Sequence, residues 1–259
     1  MKDCYLNSHY GLPLITEKGL TYEEKAFRKN ADMLVRNIEE YPHAYVLACL
    51  MDTGVDADIA WCIPYRVYIE LGSFKIEDLS KVEQQEYINM FSGVKKWHRY
   101  PASKAKYFYH AVQKIVNTEF IDGDATRIWA NKPSSYNVIS RFMDFKGCGF
   151  KVANMATNIL YRYFGVEFSD YSFIDIAPDA HTMRVFQRLG LTPYVTDLDI
   201  ARIYTILKAR ELNPDFPGIV DNICWAVGRE YCHPRNPKCD SCKFNEFCLK
   251  RINNVNIWS

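Results

Sequence analysis

Four cysteines near the end of the sequence have the close spacing of a metal site. Cys232, Cys239, Cys242 and Cys248 are separated by six, two and five residues. Four thiolates this close along a chain can ligate a zinc ion or an iron–sulfur cluster, and ligand softness alone does not decide between them. The chain has nine cysteines, an odd number, and crowding of this kind in a reducing compartment indicates metal rather than disulfides. Cys224 precedes the four on an apolar helix and is predicted to be a buried core cysteine.

A second candidate is the turn Gly147-Cys148-Gly149 between two predicted helices. Glycines allow positive φ and a close approach of the backbone to a ligand, and the first amides of the following helix suit a phosphate oxygen. A Gly-x-Gly between helices is also often only a helix end followed by a turn. Lys151 lies in the first turn of the second helix, where a lysine is ordinarily a solvated charge.

Asp179 is the third candidate. It follows Pro178 and precedes a predicted helix, so it is a good helix N-cap. Asp170 and Asp175 are interpreted as loop acids. His181 is expected to pack or to hydrogen-bond within the helix rather than act as a base.

Helices must position these residues, because apolar side chains recur at helical spacing along nearly the whole chain. Thr21, followed by Glu23 and Glu24, is typical of a helix start. No alternating run with hairpin signals competes, so the sequence predicts an all-α fold. The further predicted helices cover 43–51, 56–71, 83–92, 103–119, 135–145, 150–164, 180–189, 198–211 and 216–230.

Composition is that of an ordinary globular protein of 259 residues, one large domain or two small ones. No apolar run approaches the roughly 18 residues of a membrane span, and the start is unlike a signal peptide. We therefore expect a cytoplasmic monomer, nucleoid-associated in a prokaryote, that contacts no membrane. The formal net charge of +1 does not identify a partner, although residues 229–251 carry six basic side chains against three acids.

Taken together, these segments resemble the endonuclease III family of helix–hairpin–helix DNA glycosylases. The segment 138–160, VISRFMDFKGCGFKVANMATNIL, resembles the family's hairpin, and Lys151 occupies the position of the catalytic lysine of its bifunctional members. The segment PDAHTMRVFQRLGL places Asp179 at the essential aspartate. The cysteine spacing, with Gly228-Arg229 before it, matches the family's cluster loop. The resemblance therefore implies a [4Fe-4S] cluster on the four cysteines.

The resemblance also implies an architecture and a partner. A six-helix barrel with the hairpin would span 36–165, and a cluster domain would combine 1–35 with 166–259. Double-stranded DNA with a damaged or modified base would bind between these lobes, with one nucleotide flipped out of the stack. Gly147 and Gly149 would contact the DNA backbone, and the basic loop from Arg235 to Lys238 would contact phosphates.

Departures from the family pattern concern the DNA contacts. Where the family carries a Ser-Ala-Gln wedge, this chain has Asp52, Thr53 and Gly54 within LMDTGVDADIAW. We expect these three residues to contact DNA in its place. The usual Leu-Pro before the hairpin is Phe145-Lys146. Both changes leave the choice of substrate open, with oxidised pyrimidines as the default.

Three mechanisms stay open on the sequence. In the bifunctional mechanism Lys151 attacks the sugar, and a Schiff base permits strand cleavage by an AP lyase reaction. In a monofunctional glycosylase Asp179 would activate water and Lys151 would only contact DNA. In a non-catalytic DNA-binding protein the cluster would sense oxidants or DNA charge, an interpretation that the presence of both Lys151 and Asp179 disfavours.

Overall fold

The computed structural model describes residues 14–16 and 20–251, and every regular element in this part of the chain is helical, as expected. The α-helices are α1 Tyr22–Arg36, α2 Pro42–Met51, α3 Ala57–Ala60, α4 Ile63–Leu71, α5 Ile76–Lys81, α6 Gln84–Ser92, α7 Pro101–Asn117, α8 Ser135–Met143, α9 Phe150–Phe164, α10 Ala180–Leu189, α11 Leu198–Leu212 and α12 Ile219–Glu230. Short 3₁₀ helices cover Ala125–Ile128 and Cys239–Ser241.

Local sequence explains where several helices begin and end. Thr21 forms a capping box with Glu24 at the start of α1, as the acids after it predicted. The predicted helix 56–71 is two helices, α3 and α4, because Pro64 has no amide hydrogen to continue the hydrogen bonding from α3. Helix α5 was not predicted, since its six residues are too few to establish a helical period.

The larger hydrophobic core surrounds α2, all ten residues of which are buried. A helix that is apolar on every side belongs inside a protein, and α2 is packed by α1, α4, α7 and α9. Tyr45 anchors it, because its hydroxyl donates to the carbonyl oxygen of Ala156 at 2.6 Å. Helix α9, which carries Lys151, is therefore fixed against the centre of this core.

A smaller core lies between α10, α11 and α12. Its buried members are Ile176, Val185, Phe186, Ala209, Cys224 and Val227. Cys224 is 6% exposed, which confirms the prediction of a core cysteine. Gly228 lets α12 approach α10 closely, because a Cβ there would lie 2.7 Å from the Cβ of His181. The smaller core thus joins the start of α10, where Asp179 lies, to α12.

The division into 36–165 and 1–35 plus 166–259 stays a prediction. Helix α1 packs on α2 and α4 and buries Ala31 and Val35 in the larger core. Its apolar stripe faces these two helices. Residues 1–13, 17–19 and 252–259 of the predicted second unit lie outside the described residues.

Asp175 lies in the loop between α9 and α10, as expected, but its side chain is buried there. It is 2% exposed, and its two carboxylate oxygens accept bonds of 2.7 and 2.6 Å from Arg210. Its backbone N–H donates to Asn154 Oδ1 at 2.7 Å. Since a buried carboxylate requires a charged partner, this pair clamps the segment before Asp179 to α9 and α11.

In the described part of the chain, none of the helices combines the length and apolar character that crossing a membrane requires.

Candidate active site and cysteine loop

The hairpin between α8 and α9 uses its two glycines differently. Gly147 has φ +88°, and a Cβ there would lie 2.5 Å from the Tyr107 ring. Gly149 has φ −95° and ψ 178°, ordinary extended backbone, and a Cβ there would meet nothing within 4 Å. The expected positive φ therefore holds for Gly147 and not for Gly149. No described side chain caps α9, so its first amides are available to an oxygen ligand.

Lys151 is half-buried in the first turn of α9. Its positive charge acts on two carboxyl groups that are distant in sequence. Burial raises the pKa of Asp52, and the charge of Lys151 lowers it. The pKa of Asp221 responds to Lys151 in the same direction. The lysine thus interacts electrostatically with acids at the end of α2 and the start of α12.

Asp179 is the N-cap of α10, as predicted. Its Oδ1 accepts from the backbone N–H of Thr182 at 2.8 Å, and its own N–H donates to Thr182 Oγ1 at 2.9 Å. A side-chain oxygen at this position satisfies a backbone N–H that has no partner within the helix. Burial raises the pKa of Asp52 and of Asp221, and the negative charge of Asp179 raises both pKa values further, so Asp179 interacts electrostatically with the same two acids as Lys151.

His181 was predicted to pack or to hydrogen-bond within the helix. It forms a hydrogen bond there, since its Nδ1 lies 3.0 Å from Arg184 Nη2. The ring therefore belongs to the interface between α10 and α12. Arg184 also donates to the carbonyl oxygen of Gly228 at 3.0 Å, which fixes the two helices together.

Lys104 stabilises the turn at Asp52, Thr53 and Gly54 through hydrogen bonds. The ammonium of this buried lysine donates to the carbonyl oxygen of Leu50 at 2.6 Å and to Thr53 Oγ1 at 2.5 Å. Burial lowers the pKa of Lys104 to about 8. Sequence reasoning missed this residue, because nothing local marks a lysine that caps a helix 54 residues away.

Of the three residues at the wedge position, only Gly54 is exposed. Asp52 is half-buried, and its Oδ2 accepts from Trp61 Nε1 at 3.2 Å. Gly54 has φ +79°, and a Cβ there would lie 3.1 Å from the exposed ring of Tyr100. Asp52 therefore belongs to the cluster around Lys151, whereas Gly54 lies at the surface beside an aromatic ring.

Asp221 is the second residue that sequence reasoning missed. It is half-buried in the first turn of α12, and its carboxyl accepts from the backbone N–H of Ala177. Burial and the charge of Asp179 raise its pKa to about 7, against the opposing charges of Arg162 and Lys151. The available signal was its place three residues before buried Cys224, which puts an acid on the packed face of a helix.

The cluster around Lys151 thus consists of the amine of Lys151 and the carboxyl groups of Asp52, Asp179 and Asp221, and each of the four residues lies at the end of a different helix. An amine can act as a nucleophile once it has lost its proton, and carboxyl groups can accept protons or stabilise positive charge. The arrangement is suited to nucleophilic attack by Lys151 on an electron-poor carbon.

The four cysteines line one cavity together with Arg188, Tyr231, Pro237, Asn245 and Lys250. Cys232 Sγ accepts from Arg188 Nη1 at 3.2 Å, and Cys248 Sγ accepts from the backbone N–H of Lys250 at 3.3 Å. Such donors suit sulfur that carries negative charge. Among the described residues, no three or more Cys, His, Asp or Glu side chains are placed to hold a single metal ion.

Arg188 also fixes the loop that follows Cys232. Its guanidinium donates to the carbonyl oxygens of His233 at 2.7 Å and Pro234 at 3.1 Å. Arg235 and Lys238 are exposed on the same loop. The backbone of the loop is therefore anchored while its two basic side chains extend toward solvent.

Comparison with known proteins gives structural neighbours only. No protein-family model matches the sequence, and no curated protein is significantly similar to it. A trapped endonuclease III–DNA covalent intermediate superposes with a TM-score of 0.55 and 17% identity, over 89% of this chain and 97% of that chain. A thermostable thymine-DNA glycosylase superposes with a TM-score of 0.51 and 13% identity, over 88% of this chain and 97% of that chain. The hairpin, the two cores and these superpositions agree that the chain has the endonuclease III-like helix–hairpin–helix fold of DNA glycosylases.

Proposed function

We propose that the protein is a DNA base-excision glycosylase with AP lyase activity that uses Lys151 as its nucleophile. The observation that carries the proposal is the cluster around Lys151. This lysine and Asp179 lie 28 residues apart in sequence, yet both of their charges act on the carboxyl groups of Asp52 and Asp221. A solvated surface lysine and an ordinary helix cap would not be expected to act on the same two carboxyl groups.

The chemistry follows from the two side chains. Lys151, as a free amine, attacks the anomeric carbon of a flipped nucleotide, and the bond to the base breaks with its electron pair leaving on the base. The carboxylate of Asp179 stabilises the positive charge that develops on the sugar. The sugar then opens to a Schiff base with Lys151, from which elimination releases the phosphate on the 3′ side. A monofunctional enzyme would instead direct water to the same carbon through Asp179.

The DNA backbone would be held at two places. The uncapped amides at the start of α9, with open space at Gly149, can approach a phosphate closely. Arg235 and Lys238 add positive charge on an anchored loop. Flipping a nucleotide costs a few kcal/mol, least for a damaged or ill-paired base, so duplex DNA with such a base is the proposed substrate. Oxidised pyrimidines remain the default lesion.

Cys232, Cys239, Cys242 and Cys248 would hold a [4Fe-4S] cluster. The shared cavity and the N–H donors to two of the sulfurs fit such a group. When bound, the [4Fe-4S] cluster would be a structural element that links the two ends of the segment 232–248. Arg188 would then connect it to α10, and so to the helix that Asp179 caps.

Borohydride trapping tests the proposal. Incubation with duplexes that each carry one defined lesion, in the presence of borohydride, should give a covalent enzyme–DNA adduct. Lys151→Gln should abolish the adduct and strand cleavage and retain DNA binding, because the hairpin amides are unchanged. Lys146→Gln is the matched control, since it removes an exposed lysine from the same hairpin. It should still form the adduct.

Two other outcomes would replace the proposal. Base release without any adduct would support water activation by Asp179. DNA binding with no base release from any lesion would support a non-catalytic DNA-binding protein. Asp179→Asn is less decisive, because loss of a charged cap costs about 1 kcal/mol of stability by itself.

A further inference from the structure

The longest stretch of the chain without an acidic residue runs from 87 to 118. It carries six basic residues, which are Lys95, Lys96, Arg99, Lys104, Lys106 and Lys114. The formal net charge of +1 for the whole chain conceals this local excess. A local excess of positive charge favours an anionic partner.

Three of these side chains, those of Lys96, Arg99 and Lys106, are exposed. None of the three forms an ion pair with another described residue. Exposed basic side chains elsewhere do have acidic partners, as Lys132 has Glu167 at 3.1 Å. The three charges are therefore available to a ligand.

The backbone of residues 96–99 is anchored by two buried rings. Trp97 is 8% exposed, and its backbone N–H donates to the carbonyl oxygen of Phe91 at 3.1 Å. His98 is 3% exposed, and its Nδ1 accepts from the backbone N–H of Tyr100 at 2.9 Å. The basic side chains on either side of these rings therefore extend to solvent from a fixed backbone, which limits the ordering that binding would require.

This segment and the start of α7 lie against the turn at the wedge position. A Cβ at Gly54 would lie 3.1 Å from the Tyr100 ring, and the guanidinium carbon of Arg99 lies 5.4 Å from the centre of the same ring. Lys104 joins α7 to the turn through its bond to Thr53 Oγ1. Arg99 is thus placed beside the exposed part of the turn.

Helix α7 also lies against the hairpin. A Cβ at Gly147 would lie 2.5 Å from the Tyr107 ring, and Lys106 is the exposed neighbour of Tyr107. Tyr100 and Tyr107 are seven residues apart, which is about 10 Å along a helix. This length corresponds to about three base steps of a DNA strand. The wedge turn and the hairpin can therefore contact the same short length of DNA.

The outer face of α7 between these two contacts is open. Ala102, Ser103 and Lys106 are exposed at positions three and four apart, so they share one face of the helix. Two of the three side chains are short, so a DNA strand can approach the helix closely. Arg99 lies at one end of this face and Lys106 at the other.

We propose that Lys96, Arg99 and Lys106 bind phosphates of the DNA strand that passes between the wedge turn and the hairpin. The inference rests on the proposed function and extends its DNA surface to α7. Duplex DNA is favoured over an acidic protein surface, because it presents phosphates at regular intervals along the length that the two turns bracket.

The experiment measures binding to an undamaged fluorescent duplex by anisotropy over a range of salt concentrations. Lys96→Gln, Arg99→Gln and Lys106→Gln together should weaken binding at about 100 mM salt by roughly 10- to 100-fold. The log–log salt slope should fall by roughly two units, because each phosphate contact contributes about 0.9. Neither quantity depends on base release.

Lys25→Gln, Lys29→Gln and Lys75→Gln together form the matched control. They remove three exposed positive charges from stretches that also contain acids, and this variant should keep the wild-type slope. Thermal unfolding checks that both variants are folded, as is expected for changes at exposed positions.

A wild-type salt slope in the variant changed at 96, 99 and 106 would overturn the inference and leave an acidic protein as the partner of this face. The proposed function would then still stand. An equal loss of slope in the control would also overturn it, since only net charge would matter. If wild type binds no duplex, the proposed function fails first and the inference fails with it. A loss confined to the first variant, alike for duplexes of different sequence, would support phosphate binding.

Discussion

The two hairpin glycines should respond in opposite ways to the same replacement. Gly147→Ala should destabilise the protein, because it puts a side chain on a left-handed residue and against the Tyr107 ring. Gly149→Ala should not, since its backbone is extended and nothing lies within 4 Å of the new Cβ. The two positions are two residues apart, so the comparison controls for hairpin location.

The magnitude for Gly147→Ala has two parts. Left-handed backbone costs an alanine about 1–2 kcal/mol. A Cβ at 2.5 Å from the Tyr107 ring forces the ring to move, which adds about 1–3 kcal/mol as for an overpacked core. Tyr107 is half-buried and can shift outward, so a total of about 3 kcal/mol is expected. Gly149→Ala should be neutral or stabilising by up to about 1 kcal/mol.

Thermal and urea unfolding of the two variants measure these changes. For a chain of this size about 3 kcal/mol corresponds to a fall in Tm of roughly 6–12 °C. In a double-mutant cycle, Gly147→Ala should cost less stability in a Tyr107→Ala background than in wild type, because the overlap with the ring is gone. The cost that remains is that of the left-handed backbone. Equal stability of the two single variants would refute the assigned hairpin conformation.

The remaining predictions concern the cysteine loop, the DNA contacts and a buried lysine. Protein purified without oxygen should absorb broadly at roughly 400 nm, and Cys239→Ser should weaken that absorption; colourless, folded protein with one zinc per chain would contradict the cluster. Replacing Arg235 and Lys238 together by Ala should weaken binding to all duplexes alike and reduce the log–log salt slope by roughly one to two units, with an unchanged slope placing the phosphate contacts elsewhere. Burial lowers the pKa of Lys104 from 10.5 to about 8, so between these pH values the unfolded chain binds more protons than the folded chain. The free energy of unfolding should therefore rise with pH over this interval. Lys104→Met should remove this rise when the free energy of unfolding is measured from pH 7 to 10.5.

Local patterns in the sequence determined much of the molecule. The helical period predicted an all-helical chain, and the predicted bounds of α9 and α10 agree with the structure because each is closed by local features. The cap at Asp179 and the buried state of Cys224 also followed from a few neighbouring residues. A cap or an amphipathic stripe depends on residues within one or two helical turns, which the sequence displays directly.

Tertiary structure alone decided which charged groups meet. Asp221 is an unremarkable acid in sequence, and only the docking of α12 against α9 and α10 brings it near Lys151 and Asp179. Lys104 reaches the end of α2 across 54 residues, and Asp175 is buried because Arg210 on α11 meets it. Burial and neighbouring charges act through space, so protonation and ion pairing at these positions depend on which helices pack together. The order of the helices along the chain does not reveal which of them are neighbours.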